Sequence, residues 1–245
     1  MANPPPNQRV TKAERKEQAR RERDQLQRKM AASRRNRRIV VAIGLVAVVG
    51  LIAFYLTRPE VVRADPDELL RTAVAANQRA GCGTPEDVGP YQPEDRDREH
   101  GPSPALSTYP STPPASGPHN QTTLPAGVYE TPPPLDQALH SLEHGAAIVW
   151  YSPQVTGQAL QELKAFYDGG DVGSRVIVAP YDYPDQGESG SLPQGVQMSL
   201  VAWHTVEGCA RVDLGAAFDF TSSYGAPPFG ERPYLGSAPE AGVPF

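Results

Sequence analysis

The chain has 245 residues and a net charge of −5, with the charge unevenly distributed. Residues 1–38 carry 13 Lys/Arg against 4 Asp/Glu, a balance of +9, and the remainder carries 10 against 24, a balance of −14. An acidic bulk and a basic stretch without interleaved aromatics exclude nucleic-acid binding as the main role, and two cysteines exclude a disulfide-dense scaffold.

Residues 1–38 read as a cytoplasmic basic segment, partly disordered and partly helical. From Thr11 on it is rich in good helix formers. It is polar all round, which suits topology setting or attraction to anionic lipid. Residues 39–56 form an 18-residue run without a charge. At about 1.5 Å per residue a helix of this length spans roughly 27 Å, enough for a bilayer core. The leader is long for a cleaved signal peptide, and the nearest small-x-small site, Val62-Arg63-Ala64, lies well past the apolar run. We therefore expect an uncleaved signal anchor: a single-pass protein of the cytoplasmic membrane, its partner the lipid bilayer. The positive-inside rule puts the N-terminus inside and the C-terminal domain outside. Cys82 and Cys209 then face an oxidising compartment, which favours a disulfide. The alternative is a thiolate that joins the histidines on a soft metal.

Residues 57–64 read as a linker, residues 65–224 as an extracytoplasmic α+β domain, and residues 225–245 as a Pro/Gly-rich tail. Asp65-Pro66-Asp67-Glu68 has the chemistry of a helix start, and Gly81 that of its end. Residues 83–134 show no periodic segment, and 13 prolines fall between Pro85 and Pro134. Such a long loop needs something to order it, and a metal would serve. Then follow a short helix over residues 136–144, a strand over 146–151, an amphipathic helix over 156–167 and a strand over 175–179. A strand over 197–204, running on toward Cys209, precedes a helix over 214–224. The α-β-α-β-β-α order implies a small mixed sheet with packed helices.

The chain has five histidines, and three of them with a glutamate sit in two short motifs, Pro113-Pro114-Ala115-Ser116-Gly117-Pro118-His119 and His140-Ser141-Leu142-Glu143-His144-Gly145. Neutral imidazole and carboxylate are the usual ligands of zinc, copper or iron. On a helix His140 and His144 share a face, with Glu143 beside them. The His119 loop closes over that face and His100 is the natural further ligand. The expected metal set is thus His100, His119, His140 and His144, with zinc or copper as the ion. His204, next to Trp203 on a strand, reads as structural.

Two other readings stand beside this one. His140 to His144 matches the H-x-x-E-H string of inverted zincins, in which Glu143 would be the general base of a metal-dependent hydrolase. The remaining ligand of such enzymes is a carboxylate on a following helix, whereas here Gly145 and a strand follow at once, and Glu207 is the only downstream acid even roughly far enough away. Alternatively, the histidines only tie down the proline-rich loop of an envelope interaction module whose protein partner the sequence does not name.

At these motifs the chain resembles the bacterial envelope proteins of domain-of-unknown-function family 3105. The resemblance covers about residues 70–224. It rests on Cys82, His100, Tyr109-Pro110, the His119 motif, Gly127-Val128-Tyr129, the His140 motif and Ala202-Trp203. The family usually has Thr at position 115 and Gly at position 204, and Ser237-Ala238-Pro239-Glu240 resembles its C-terminal end after an insertion. The resemblance implies one N-terminal membrane helix and no particular activity.

Overall fold

The computed structural model describes residues 64–168 and 173–245, together with Arg20, Arg21, Arg23, Gly44, Val48 and Val49, which are helical. The chain divides into two compact units, Met1–Glu60 and Val61–Phe245. Most of the expected basic segment and of the apolar run 39–56 lies outside the described residues. Among the described residues no helix is long and apolar enough to cross a membrane.

The second unit opens with two short helices, α1 (Pro66–Arg71) and α2 (Ala73–Ala80). Asp65 caps α1 by accepting from the Asp67 amide. One continuous helix was expected here. Thr72 breaks it, because its hydroxyl donates back to the Glu68 carbonyl at 2.9 Å and competes with the helical ladder. Gly81 ends α2 in the left-handed conformation, as its position predicts.

The sheet follows from strands β1 (Glu86–Asp87), β2 (Gly127–Val128), β3 (Ala147–Tyr151), β4 (Val176–Pro180), β5 (Met198–Ala202) and β6 (Thr205–Cys209). Their order across the sheet is β1-β6-β5-β3-β4-β2. β3 and β4 are parallel, joined by the crossover helix α4 (Gln158–Tyr167), while β5 and β6 run antiparallel. The expected mixed sheet is therefore present. The expected single strand toward Cys209 is instead a hairpin, with Ala202 paired to Thr205 around Trp203 and His204. His204 takes the left-handed conformation, φ 59°, at this turn. A glycine adopts that geometry without strain, but no Gly or Asn marks the turn in this sequence, so the apolar pattern reads straight through it.

Side-chain alternation along the central strands divides the core into two layers. Val149, Tyr151, Val176, Val178, Met198, Leu200 and Cys209 face one layer, with α4 and α5 (Leu214–Tyr224). Ile148, Trp150, Ile177, Ala179, Val201 and Trp203 face the other. That second face is covered by α3 (Leu135–Glu143) through Ala138, Leu139 and Leu142, and by the proline-rich segment. This segment, which the sequence expectation left in need of something to order it, supplies core side chains of its own. Tyr91, Leu106, Tyr109, Ala115 and Leu124 enter the core from it, and its two-residue strands β1 and β2 sit at the sheet edges. Edges are where a proline-rich chain can pair without losing inner ladder bonds.

Cys82 and Cys209 form a disulfide across 127 residues of chain, on the α4/α5 side of the sheet. In the chain-entropy view such a closure stabilises by roughly 4–5 kcal/mol. Both thiols are consumed, so the alternative in which a thiolate joins the histidines is ruled out. The tail expectation also changes. Residues 225–245 pack back on the domain, with the Ala226 amide on the Gly145 carbonyl and the Ser237 hydroxyl on the Trp203 carbonyl.

Candidate metal centre

Three segments bring the site together. The first is the stretch Asp97-Arg98-Glu99-His100, which pairs in parallel with the chain around His119. The His119 amide donates to the Glu99 carbonyl at 2.9 Å and the Gly101 amide to the His119 carbonyl at 2.8 Å. This pairing sets the His100 and His119 rings side by side, centroids 4.9 Å apart. The second is the His119 loop itself. Gly117 has φ 113°, and a β-carbon there would fall 2.8 Å from the Tyr109 ring and 2.9 Å from that of Tyr91. Only glycine lets the chain turn against those rings. The Tyr109 hydroxyl then holds the Pro118 carbonyl at 2.7 Å.

The third is α3, which carries His140 and Glu143. The Asn120 side chain donates to Asp136 at the start of α3 at 3.1 Å. Ser141 bonds both backbone groups of Leu124. The loop and the ligand helix are thus fastened at both ends of the short connection. Asp97 anchors the far side. Burial would raise its carboxyl, but the hydrogen bonds from His204 and the Tyr91 amide outweigh that and hold it low. His204, read as structural from the sequence, fills this role at 2.8 Å from Asp97.

At the centre, His100, His119, His140 and Glu143 each offer one ligand atom, and these atoms lie within 4.8 Å of one another. His119 Nε2 is 3.0 Å and His100 Nε2 3.4 Å from Glu143 Oε2. Ligand atoms around a tetrahedral zinc are separated by roughly 3.3–3.5 Å, so the His100–Glu143 pair has that spacing and the His119–Glu143 pair is a few tenths of an ångström closer. His119 and Glu143 are almost fully buried. Yet His119 Nε2, His140 Nδ1 and Glu143 Oε2 form no hydrogen bond, despite the short His119–Glu143 distance. Buried polar atoms are rarely left so. Such atoms within a cluster whose ligand groups lie so close together fit a cation, and the donor set of imidazoles and carboxylate suits a first-row transition ion.

The surroundings fix the ligands. His119 Nδ1 lies 2.7 Å from the Gly117 carbonyl, which can only accept, so Nδ1 carries the proton and Nε2 presents its lone pair when the ring is neutral. Burial pushes His140 down to about 4, with the neighbouring His119, His144 and His100 adding to the effect. Burial alone would raise Glu143. The close approach of His119 and of the Arg98 guanidinium outweighs it and brings the carboxyl to about 2. Arg98 pairs with Glu143 Oε1 and reaches Glu240 at 2.7 Å.

His144 does not join this set. It is the C-cap of α3, with φ −82° and ψ 0°, and has left the helical geometry that would align it with His140. Its Nδ1 lies 3.1 Å from the Pro244 carbonyl and its Nε2 3.3 Å from Glu240. Glu143, one turn from His140, takes the place expected of His144. Glu207 is not available to an inverted-zincin site either. It lies on β6 beside the disulfide, on the other face of the sheet. Arg98 and Arg175 were not singled out from the sequence, and Glu240 appeared there only within the family-like C-terminal end Ser237-Ala238-Pro239-Glu240. The charge run ending at His100 was the available signal for Arg98, and none existed for Arg175. A separate cavity of about 330 Å³, lined by Ser152, Gln154, Ser191 and Gln197 among others, contains no titratable side chain.

A family model described as Protein of unknown function (DUF3105) matches residues 103–236, more than half of the chain. The match begins just after His100 and stops short of Glu240. No curated protein and no solved structure matches the chain. With both histidine motifs inside the matched region, the chain belongs to the DUF3105 family.

Proposed function

We infer that this is a membrane-anchored, extracytoplasmic domain that binds one zinc or copper ion through His100, His119, His140 and Glu143. The observation that carries the reading is the convergence of one ligand atom from each of His100, His119, His140 and Glu143 within 4.8 Å of one another, with His119 Nε2 and Glu143 Oε2 buried and without hydrogen bonds. A purely structural cluster would leave the lone pairs of His119 Nε2 and Glu143 Oε2 facing one another at 3.0 Å. Protonating His119 relieves the contact, but it places a second cation on a carboxylate that Arg98 already neutralises. A bound ion satisfies both atoms at once, with an imidazole nitrogen of His100 and of His140 within reach.

The same geometry speaks against Glu143 as a general base. Arg98 occupies one oxygen, the histidines face the other, and the carboxyl sits far below the range useful for proton abstraction near neutral pH. Glu143 is a ligand in this reading. The anchor over residues 39–56 and the outward-facing domain follow from the apolar run and the basic leader, and the disulfide fits an oxidising compartment.

Full-length protein without a histidine tag, loaded with excess zinc and desalted, should retain about one equivalent by elemental analysis, as a site of this ligand count implies. Retention of only trace zinc, and of only trace copper in a parallel loading, would leave the cluster as a fastening for the loop.

A further inference from the structure

We propose that residues 237–245 form a strap whose docking is coupled to metal occupancy, each strengthening the other. The proposal rests on the metal reading above.

The coupling starts from the end of α3. A helix leaves its last carbonyls without intrahelical partners. Here the strap supplies them. The Glu240 amide donates to the Glu143 carbonyl at 3.1 Å and the Gly242 amide to the His144 carbonyl at 3.2 Å. Arg175 fastens the same junction, reaching the carbonyls of His144, Gly242 and Val243 at 3.1, 2.9 and 2.9 Å, and its guanidinium lies over the Phe245 ring. The strap is therefore the cap of the helix that presents His140 and Glu143.

A second tie is electrostatic. Arg98 bridges the carboxylate of Glu143 to that of Glu240. With neutral imidazoles, Glu143 and Arg98 leave the inner site near zero net charge. A divalent cation raises that to about +2, one guanidinium away from the Glu240 carboxylate, in surroundings where charges act more strongly than in water. The cation thus favours the docked strap. No strap side chain from Ser237 to Phe245 is fully buried, so its docking depends on these polar ties and is low in local stability. Such a segment responds to a change of two charges nearby.

Linkage makes the effect reciprocal. On adding zinc to the full-length protein, hydrogen exchange of the Glu240 and Gly242 amides should slow about tenfold, while the Leu200 amide in the core is unchanged. Glu240→Gln, which preserves shape, should lower zinc affinity by about tenfold, and deletion of residues 237–245 by at least as much. Zinc binding with unaltered strap exchange and unaltered affinity in Glu240→Gln would overturn the coupling and leave the metal reading intact. Failure to bind zinc or copper would overturn both.

Discussion

Replacing His119 by alanine is expected to lower zinc affinity by about 100-fold or more, since loss of even an outer partner of a ligand commonly costs 10- to 100-fold. His119 is the residue on which the site turns. Its backbone pairs with the His100 segment, its Nδ1 is fixed on Gly117, and its Nε2 faces Glu143 at 3.0 Å. His140→Ala should have a comparable effect. His204→Ala should cost far less, because His204 touches Asp97 and not the converging atoms. Titration calorimetry with zinc on each variant, after a thermal melt to confirm folding, separates these cases. Equal losses for His204→Ala and His119→Ala would mean that loop integrity, not ligation, is being measured.

Glu207→Gln is expected to stabilise the protein at pH 8 and to change little near pH 4.5. Glu207 lies buried on β6, and no cation is paired with it among the described residues. Burial, with the Asp219 charge adding to it, pushes its carboxyl from the ordinary 4.5 up to about 7. The folded state therefore holds a proton that the unfolded state has released across this interval. Stability falls as pH rises from about 4.5 through about 7 and is level above. A shift of this size corresponds to on the order of 3 kcal/mol, which we discount to about 1–2 kcal/mol for residual hydration. Glutamine carries no titration, so denaturant unfolding of the two proteins should diverge with rising pH. Parallel curves from pH 4.5 to 8 would show that Glu207 ionises normally.

The parts of this molecule that were legible in the sequence are the local ones. The apolar runs of β3, β4 and β5, the Asp65 cap and the Gly81 stop are each set by neighbouring residues, and each appears where the pattern places it. The two histidine motifs were legible as a site because imidazoles are few in this chain. What failed was non-local. Helical spacing favoured His144 over Glu143 as the partner of His140, but α3 ends at Glu143 and its cap turns His144 toward the strap. The proline-rich segment has no period, since its order comes from Tyr91, Tyr109 and Leu124 docking on a distant sheet face. Arg98 and Glu240 are separated by 142 residues, and no pattern in the sequence joins them.

The proposed site has His100, His119, His140 and Glu143 sharing one ion. X-ray absorption on the zinc-loaded, untagged full-length protein measures this directly. It should show a first shell of nitrogen and oxygen only, at about 2.0–2.1 Å, with the outer-shell scattering of about three imidazoles, and no sulfur near 2.3 Å. Glu143→Gln should alter that shell, and His144→Ala should leave it in place. A shell dominated by water oxygens, or one unchanged by Glu143→Gln and by His119→Ala, would contradict the claim.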